Sequence, residues 1–428
     1  MSGSPGYQDA EVIVVGAGPA GSTAATYLAR AGVDVLLLEK STLPRDKVCG
    51  DGLTPRGVKQ LIDLGIDTSE QAGWVHNQGL RIMTSELNLE LDWPELSNYP
   101  PYGLARARHD FDELLARTAQ KAGARLAEHT TVTDAITDES TGRVRGVHAK
   151  VGPDKQPVRY RAPLVLGCDG VSARLARSVG IDKHAKRPMG VGVRQYYRSP
   201  RSDERFIEGH LELWDRRDPA RPKLLPGYGW AFPLGDGTVN VGLGMLSTSK
   251  AFQNTNYRAL LRQWLDSTPQ EWGYHEENAV GRIGGAGIPM GFNRVPHYRD
   301  GLLLVGDAGG MVSPFNGEGI QSAMESAQLA AECVTQALAR PAGPSRERAL
   351  QRYPRAMKDL LGGYYRLGNV FAKAIGKPAV MRAATKYGLR INALIPLIYK
   401  GLSGCYDDKG GDTVDRIITA AARATPAA

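Results

Sequence analysis

The chain places a glycine triplet, Gly16-Ala-Gly18-Pro-Ala20-Gly21, directly after the β-branched run at residues 11–15 (EVIVV). Glycines at the first two positions permit a tight turn and close approach of a pyrophosphate, and the third lets the following helix pack against the strand. Residues 22–31 read as that helix, with its N-terminus turned toward phosphate charge. A second apolar run at residues 33–38 (VDVLLL) ends on Glu39 and Lys40. Strand, turn, helix, strand and terminal acid make one βαβ unit built to bind a dinucleotide. A carboxylate at Glu39 accepts hydrogen bonds from a free ribose and disfavours a 2′-phosphate, so the ligand is FAD or NAD rather than NADP.

Later residues choose between them. The apolar run at residues 302–305 (LLLV) leads into Gly306-Asp307-Ala308, and Pro314-Phe-Asn-Gly317-Glu318-Gly319-Ile320 then opens a helix expected over residues 321–340. Asp307 is placed to hydrogen-bond a flavin ribityl chain, with the turn amides at the pyrimidine end of the isoalloxazine. In this the sequence resembles the flavoprotein hydroxylase superfamily, whose GD motif does that work. The resemblance extends to Arg108 in RHDFD, matching an Arg-x-x-Phe-Asp motif that reaches the flavin phosphate region, and to Asp169-Gly170 in VLGCDGVSA, which ends a strand under the cofactor. FAD is the cofactor these motifs imply.

Two further segments narrow the family. Pro44-Arg-Asp-Lys47-Val-Cys49-Gly50 and Tyr228-Gly-Trp230-Ala-Phe232-Pro233 resemble the PxxKxCG and YxWxFP elements of the geranylgeranyl reductase family, which saturates isoprenoid double bonds. The bacterial branch acting on the prenyl chain of menaquinone is similar through CGDGLTPR and LPGYGWAFPLG, and the likeness spans residues 10–400. Read physically, YGWAFPLG is an alternating strand with Tyr228, Trp230 and Phe232 on one face, able to wall an apolar tunnel. The family resemblance places Cys49 in the site beside the flavin. Saturating an isolated alkene needs a proton as well as a hydride, and Cys49, the Tyr228 hydroxyl or an ordered water could supply it.

Stepping outward, a hydrophobic fraction of 42% and a charged fraction of 23% exclude general disorder. Four scattered cysteines give neither a disulfide scaffold nor a zinc-ligand spacing, so no metal is expected. The net charge of +8 is concentrated in residues 341–400, which hold twelve Lys/Arg against Glu347 and Asp359. Such a segment suits nucleic acid or an anionic membrane surface, and the apolar stretch at residues 391–402 (INALIPLIYKGL) selects the membrane. Pro378 and Pro396 interrupt the segment, and Lys386 and Arg390, four apart, would share one helix face. No apolar run reaches the ~18 residues of a spanning helix. The N-terminus shows no secretory signal, which places the protein in the cytoplasm, at the inner face of the membrane where the basic segment binds it.

The expected architecture is an α/β fold: a Rossmann-type FAD-binding domain (residues 8–55, 100–175 and 276–340), an interleaved antiparallel-sheet substrate domain (56–99 and 176–275), and a helical basic C-terminal cap (341–428). No second GxGxxG stands between strand and helix, since Gly281-Arg-Ile-Gly284 precedes a Pro-Met-Gly turn. NAD(P)H or another electron donor must then reduce the flavin without a domain of its own. The leading functional expectation is saturation of prenyl double bonds on a membrane-borne lipid. A flavin monooxygenase acting on an aromatic or terpenoid substrate shares the flavin motifs and is the alternative, and a lipid carrier with a structural flavin is a third.

Overall fold

The computed structural model describes residues 8–218, 220–249 and 251–425. Its first sheet runs in parallel through Arg125–Ala127, Val35–Leu38, Val12–Val15, Leu164–Gly167 and Leu302–Leu304, with Tyr298–Arg299 antiparallel at the edge. Both faces are covered, which is why these strands read as unbroken apolar runs. Val12, Val14 and Leu37 pack under the helices Pro19–Arg30 and Ile320–Leu338. Ile13, Val15, Leu36 and Leu38 face Val132, Val147 and Tyr160 of a four-stranded sheet. Four of the parallel strands end at one edge, on Gly16, Glu39, Cys168 and Val305. A crevice beyond the carboxyl ends of the strands is where open α/β sheets bind ligands.

The second sheet has seven strands in the order Ala279–Pro289, Met189–Arg198, Thr238–Leu246, Gly227–Pro233, Phe206–His210, Gly79–Met83 and Asn88–Asp92. All its pairs are antiparallel except Phe206–His210 with Gly79–Met83. The chain therefore leaves the flavin domain twice to build it, at boundaries that differ from those expected. Ala279–Pro289 pairs with Met189–Arg198, so the boundary expected at residue 276 falls one strand early. The helix Pro55–Asp63, expected in the substrate domain, packs through Val58 and Leu61 on Phe111, Leu115 and Met324 of the flavin domain. Ala349, Leu350 and Tyr353 likewise join the flavin-domain core, and the Tyr353 hydroxyl donates to the Leu304 carbonyl at 2.9 Å, so the cap begins beyond residue 341.

Both site helices start earlier than the sequence predicts. Pro19 opens the first because proline is preorganised for the first turn and lacks the N–H that would be unpaired there. The same physics reassigns the prolines of the cap: Pro378 and Pro396 open the helices Pro378–Lys386 and Ile395–Ser403 rather than breaking one. Lys386 is the last residue of its helix and Arg390 lies in the separate turn Gly388–Arg390, so the two do not share a helix face. Arg390 pairs instead with Glu86.

The helices Pro55–Asp63 and Ile320–Leu338 are clamped by a buried ion pair, Arg56 Nε to Glu325 Oε1 at 2.6 Å. Removing one partner strands a buried charge, at about 3–5 kcal/mol. Arg56→Met is expected to lose that much in urea unfolding, and the double variant Arg56→Met with Glu325→Leu to recover most of it.

Candidate active site

The nucleotide end of the site is shaped by backbone proximity. Gly16 has φ +102°, and a Cβ there would lie 2.5 Å from the Cys168 carbonyl oxygen. A Cβ on Gly21 would lie 1.8 Å from the Gly16 carbonyl oxygen, so only glycine lets the helix Pro19–Arg30 sit this close to the strand. That helix begins at Gly18 with no side-chain cap, leaving its first amides for an anionic ligand. Glu39, buried at the end of its strand, accepts from the amides of Ala17 at 2.9 Å and Ser41 at 3.0 Å, pairs with Arg45 at 3.3 Å and borders the cavity where a ribose would lie. Lys40 lines the cavity beside it.

Arg108, expected at the phosphates, is held by Asp112 through two hydrogen bonds of 2.7 and 2.9 Å. Arg45 shares the same carboxylate at 2.9 Å and comes within 3.9 Å of where a Cβ on Gly18 would be, so two guanidiniums flank the turn. Asp169 gives one carboxylate oxygen to the amides of Arg174 and Leu175, while its other oxygen has no hydrogen-bond partner among the described residues, and Asp169 and Gly170 border the cavity. The Asp307 carboxyl also faces the cavity with no side-chain hydrogen bond among the described residues, and burial raises its pKa against Lys47 and Arg108. Gly317, Gly319 and Ile320 bring the uncapped N-terminus of Ile320–Leu338 to the same space. Gly21 and Gly306, counted among the cofactor contacts from sequence, lie behind the cavity wall. Gly306 is pressed between Ala20 and Ala323, where it lets the two helices approach. Two free helix N-termini, two arginines, a ribose acid and two underused carboxyls fit FAD.

The Cys49 loop joins this end to the aromatic one. The Asn240 amide donates to the Asp51 carboxylate at 2.7 Å and to the Cys49 carbonyl at 2.9 Å, and accepts from the Trp230 indole at 3.0 Å. Burial pushes Asp51 up to about 6 although Asn240 and Arg194 favour its charged form. Burial also raises the Cys49 thiol, against the pull of Arg108, so it stays protonated at neutral pH. Phe232 lies against Gly50, where a Cβ would meet its ring at 2.6 Å. Tyr228, Trp230 and Phe232 follow one another at ring separations of 6.1 and 6.3 Å, on one strand face as expected. The Tyr228 hydroxyl donates to the Asn316 carbonyl and is itself raised by burial.

From here the cavity, about 1070 Å³ in all, continues between the C-terminal helices past Phe371, Leu389, Leu397 and Ile398. Gly190, Gly192 and Gly244 of the second sheet also border it, and a Cβ on Gly192 or Gly244 would meet the Trp230 ring at 3.5 or 3.7 Å. Sequence reasoning missed Arg45, Asp51, Asn240 and Glu318. Three of these stand within or beside quoted motifs, whereas nothing in the local sequence of Asn240 marks it as the central hydrogen-bonding group.

A methyl at Gly21 cannot be accommodated without separating helix from strand. Gly21→Ala is expected to yield folded protein with less than a tenth of the wild-type bound flavin, measured by absorbance after purification. Asp307→Ala should lower flavin affinity by about 1–3 kcal/mol, the range for losing a hydrogen bond to a charged group, in a fluorescence titration of the flavin-free protein.

Residues 9–205 match the FAD binding domain family. The chain is 36% identical over 408 residues to a menaquinone reductase of Mycobacterium tuberculosis, covering 95% of this chain and 94% of that protein. It is 31% identical over 364 residues to a digeranylgeranylglycerophospholipid reductase of Methanocella arvoryzae, covering 82% and 83%. Among solved structures, a geranylgeranyl bacteriochlorophyll reductase-like protein of Thermoplasma acidophilum superposes with a TM-score of 0.75 at 22% identity, covering 94% of this chain and 97% of that one, a likeness of fold. Cradle, aromatic strand and near full-length identity agree: the chain belongs to the geranylgeranyl reductase family of FAD-binding flavoproteins, oxidoreductases that include the menaquinone reductases.

Proposed function

We propose that the protein is an FAD-dependent reductase that saturates carbon–carbon double bonds in the prenyl chain of a membrane-borne isoprenoid such as menaquinone or a geranylgeranyl compound. The observation that carries this reading is the continuity of one cavity from the dinucleotide cradle, past Tyr228, Trp230 and Phe232, to the apolar C-terminal helices. Near full-length similarity to a menaquinone reductase supports it. Reduced FAD supplies a hydride when bound. The chain's own residues do the rest: Trp230 and Phe232 hold the alkene in a slot whose apolar lining disfavours water beside it. Cys49 and Tyr228 border the reacting space in their protonated forms. NAD(P)H or another donor reduces the flavin by transient contact at the open nucleotide end.

The lipid enters from a membrane surface. Among the described residues no helix is long and apolar enough to cross a membrane. Val370 and Ile417 line the cavity and are also about half exposed, so the channel opens there. In the cap segment that follows Val370, Val380, Tyr387, Ile391 and Leu394 are exposed and are interspersed in sequence with Lys373, Lys377, Arg382 and Lys386. Apolar side chains enter the interface while the cations meet anionic headgroups, each contributing about 1 kcal/mol near the surface. These features support a peripheral position at the cytoplasmic face of the membrane as the working reading.

Photoreduced, flavin-loaded protein mixed with menaquinone in detergent without oxygen should yield product that, after air returns its headgroup from quinol to quinone, is still two hydrogen atoms heavier per prenyl bond reduced. No anaerobic gain in the side chain, with product one oxygen atom heavier once air is admitted, would establish the monooxygenase alternative. In flotation assays the protein should rise with vesicles containing anionic phospholipid at low salt and stay behind with zwitterionic vesicles, and equal recovery with both would remove the electrostatic part of the membrane reading.

A further inference from the structure

The turn that carries Gly317 and Gly319 also presents Glu318, which the flavin motifs leave without a task. Its carboxyl lines the main cavity and accepts a hydrogen bond from the Thr54 hydroxyl at 3.1 Å. Thr54 belongs to the segment that follows Cys49, so Glu318 bridges the Cys49 loop and the flavin turn. Tyr228, hydrogen-bonded to the carbonyl of Asn316, stands on the same turn. On its other side Glu318 borders a small polar cavity of about 10 Å³ shared with Arg56, Ser313 and Tyr364. That is the size of a single-water site with several polar partners. Glu318, with Asn316 and Ser403, thus borders both the main cavity and the one-water compartment.

We propose that Glu318 is the general acid of the reduction, delivering its proton to the alkene directly or through the Tyr228 hydroxyl and being reloaded from the polar cavity behind it. This rests on the reductase reading above. Reduced FAD is the hydride donor. The hydride forms a C–H bond at one alkene carbon, the π pair takes the Glu318 proton at the other, the flavin loses two electrons, and Glu318 is left as carboxylate.

The surroundings suit the task. Burial raises Glu318 to about 7, with Thr54 and Arg56 pulling it down and Glu325 pushing it up. Tyr228, Tyr365 and Cys405 are the other titratable groups that feel its charge. A general acid is most effective with a pKa near the working pH. Cys49 and Tyr228 are raised above already high values and are the weaker acids.

The test compares flavin-loaded wild type, Glu318→Gln and Thr54→Val. Glu318→Gln should bind flavin and be photoreduced normally, yet form menaquinone with a saturated side-chain bond roughly 10²–10⁴-fold more slowly, without the decline that wild type shows above neutral pH. Thr54→Val, lacking the hydroxyl that favours the carboxylate, should shift that decline to higher pH. Independently of turnover, the melting temperature of flavin-free wild type should fall relative to Glu318→Gln as pH rises through about 7. A carboxyl raised by folding contributes its stability below the ordinary carboxyl range and loses it through the raised value. Wild-type rates of side-chain saturation and an unchanged pH profile in Glu318→Gln would overturn the proposal alone. Absence of side-chain saturation in wild type would overturn the reductase reading and the proposal with it.

Discussion

Asn240 is the joint on which the site depends. Its side-chain amide is wholly buried and meets Asp51, the Cys49 carbonyl and the Trp230 indole with all three of its hydrogen bonds. Each of those partners would cost about 1–3 kcal/mol if left unpaired in the interior, so the Cys49 loop has one favourable seat on the substrate sheet. Phe232 closes the other side of that seat by filling the space above Gly50. The loop is covalently continuous with the βαβ unit that cradles the nucleotide, and its position therefore sets where flavin, thiol and aromatic strand stand relative to one another.

Around this joint the site changes character over a short distance. At one end the parallel sheet delivers Glu39, Asp169 and Asp307 to its carboxyl edge, with two uncapped helix termini and two arginines to balance phosphate charge. At the other end the walls are aromatic rings, glycine backbone and the apolar faces of the cap. Carboxyls and hydroxyls caught at the boundary lose water without gaining full compensation, which is why Asp51 and Glu318 are both displaced toward their neutral forms. Proton chemistry becomes available at neutral pH where the two environments meet.

Much of this was legible in the sequence where chemistry needs a fixed local pattern. The glycine triplet, the terminal Glu39 and the alternating Tyr228, Trp230 and Phe232 each announce their geometry because turn, strand end and strand face are local properties. Long-range pairing was less visible. The edge strand Ala279–Pro289 carries a glycine cluster that resembles a turn, yet its register with Met189–Arg198 is set by the partner sheet. Arg108 and Asp112 were visible as a motif, but their mutual clamp, and the entry of Arg45 into it, required the fold. Prolines in the cap read as interruptions because sequence alone does not show which residue is the first of a helix.

If one cavity seats a flavin and a prenyl chain end to end, the chain passes the aromatic strand and leaves through the cap. A crystal structure of the flavin-loaded protein with a menaquinone whose side chain is already saturated tests this. The isoalloxazine is expected between Asp307 and the Cys49 loop, with the chain along Trp230 and Phe232 and emerging beside Val370 and Ile417. A flavin seated there with the chain bound elsewhere, and the space beside Trp230 filled by ordered water, would contradict it.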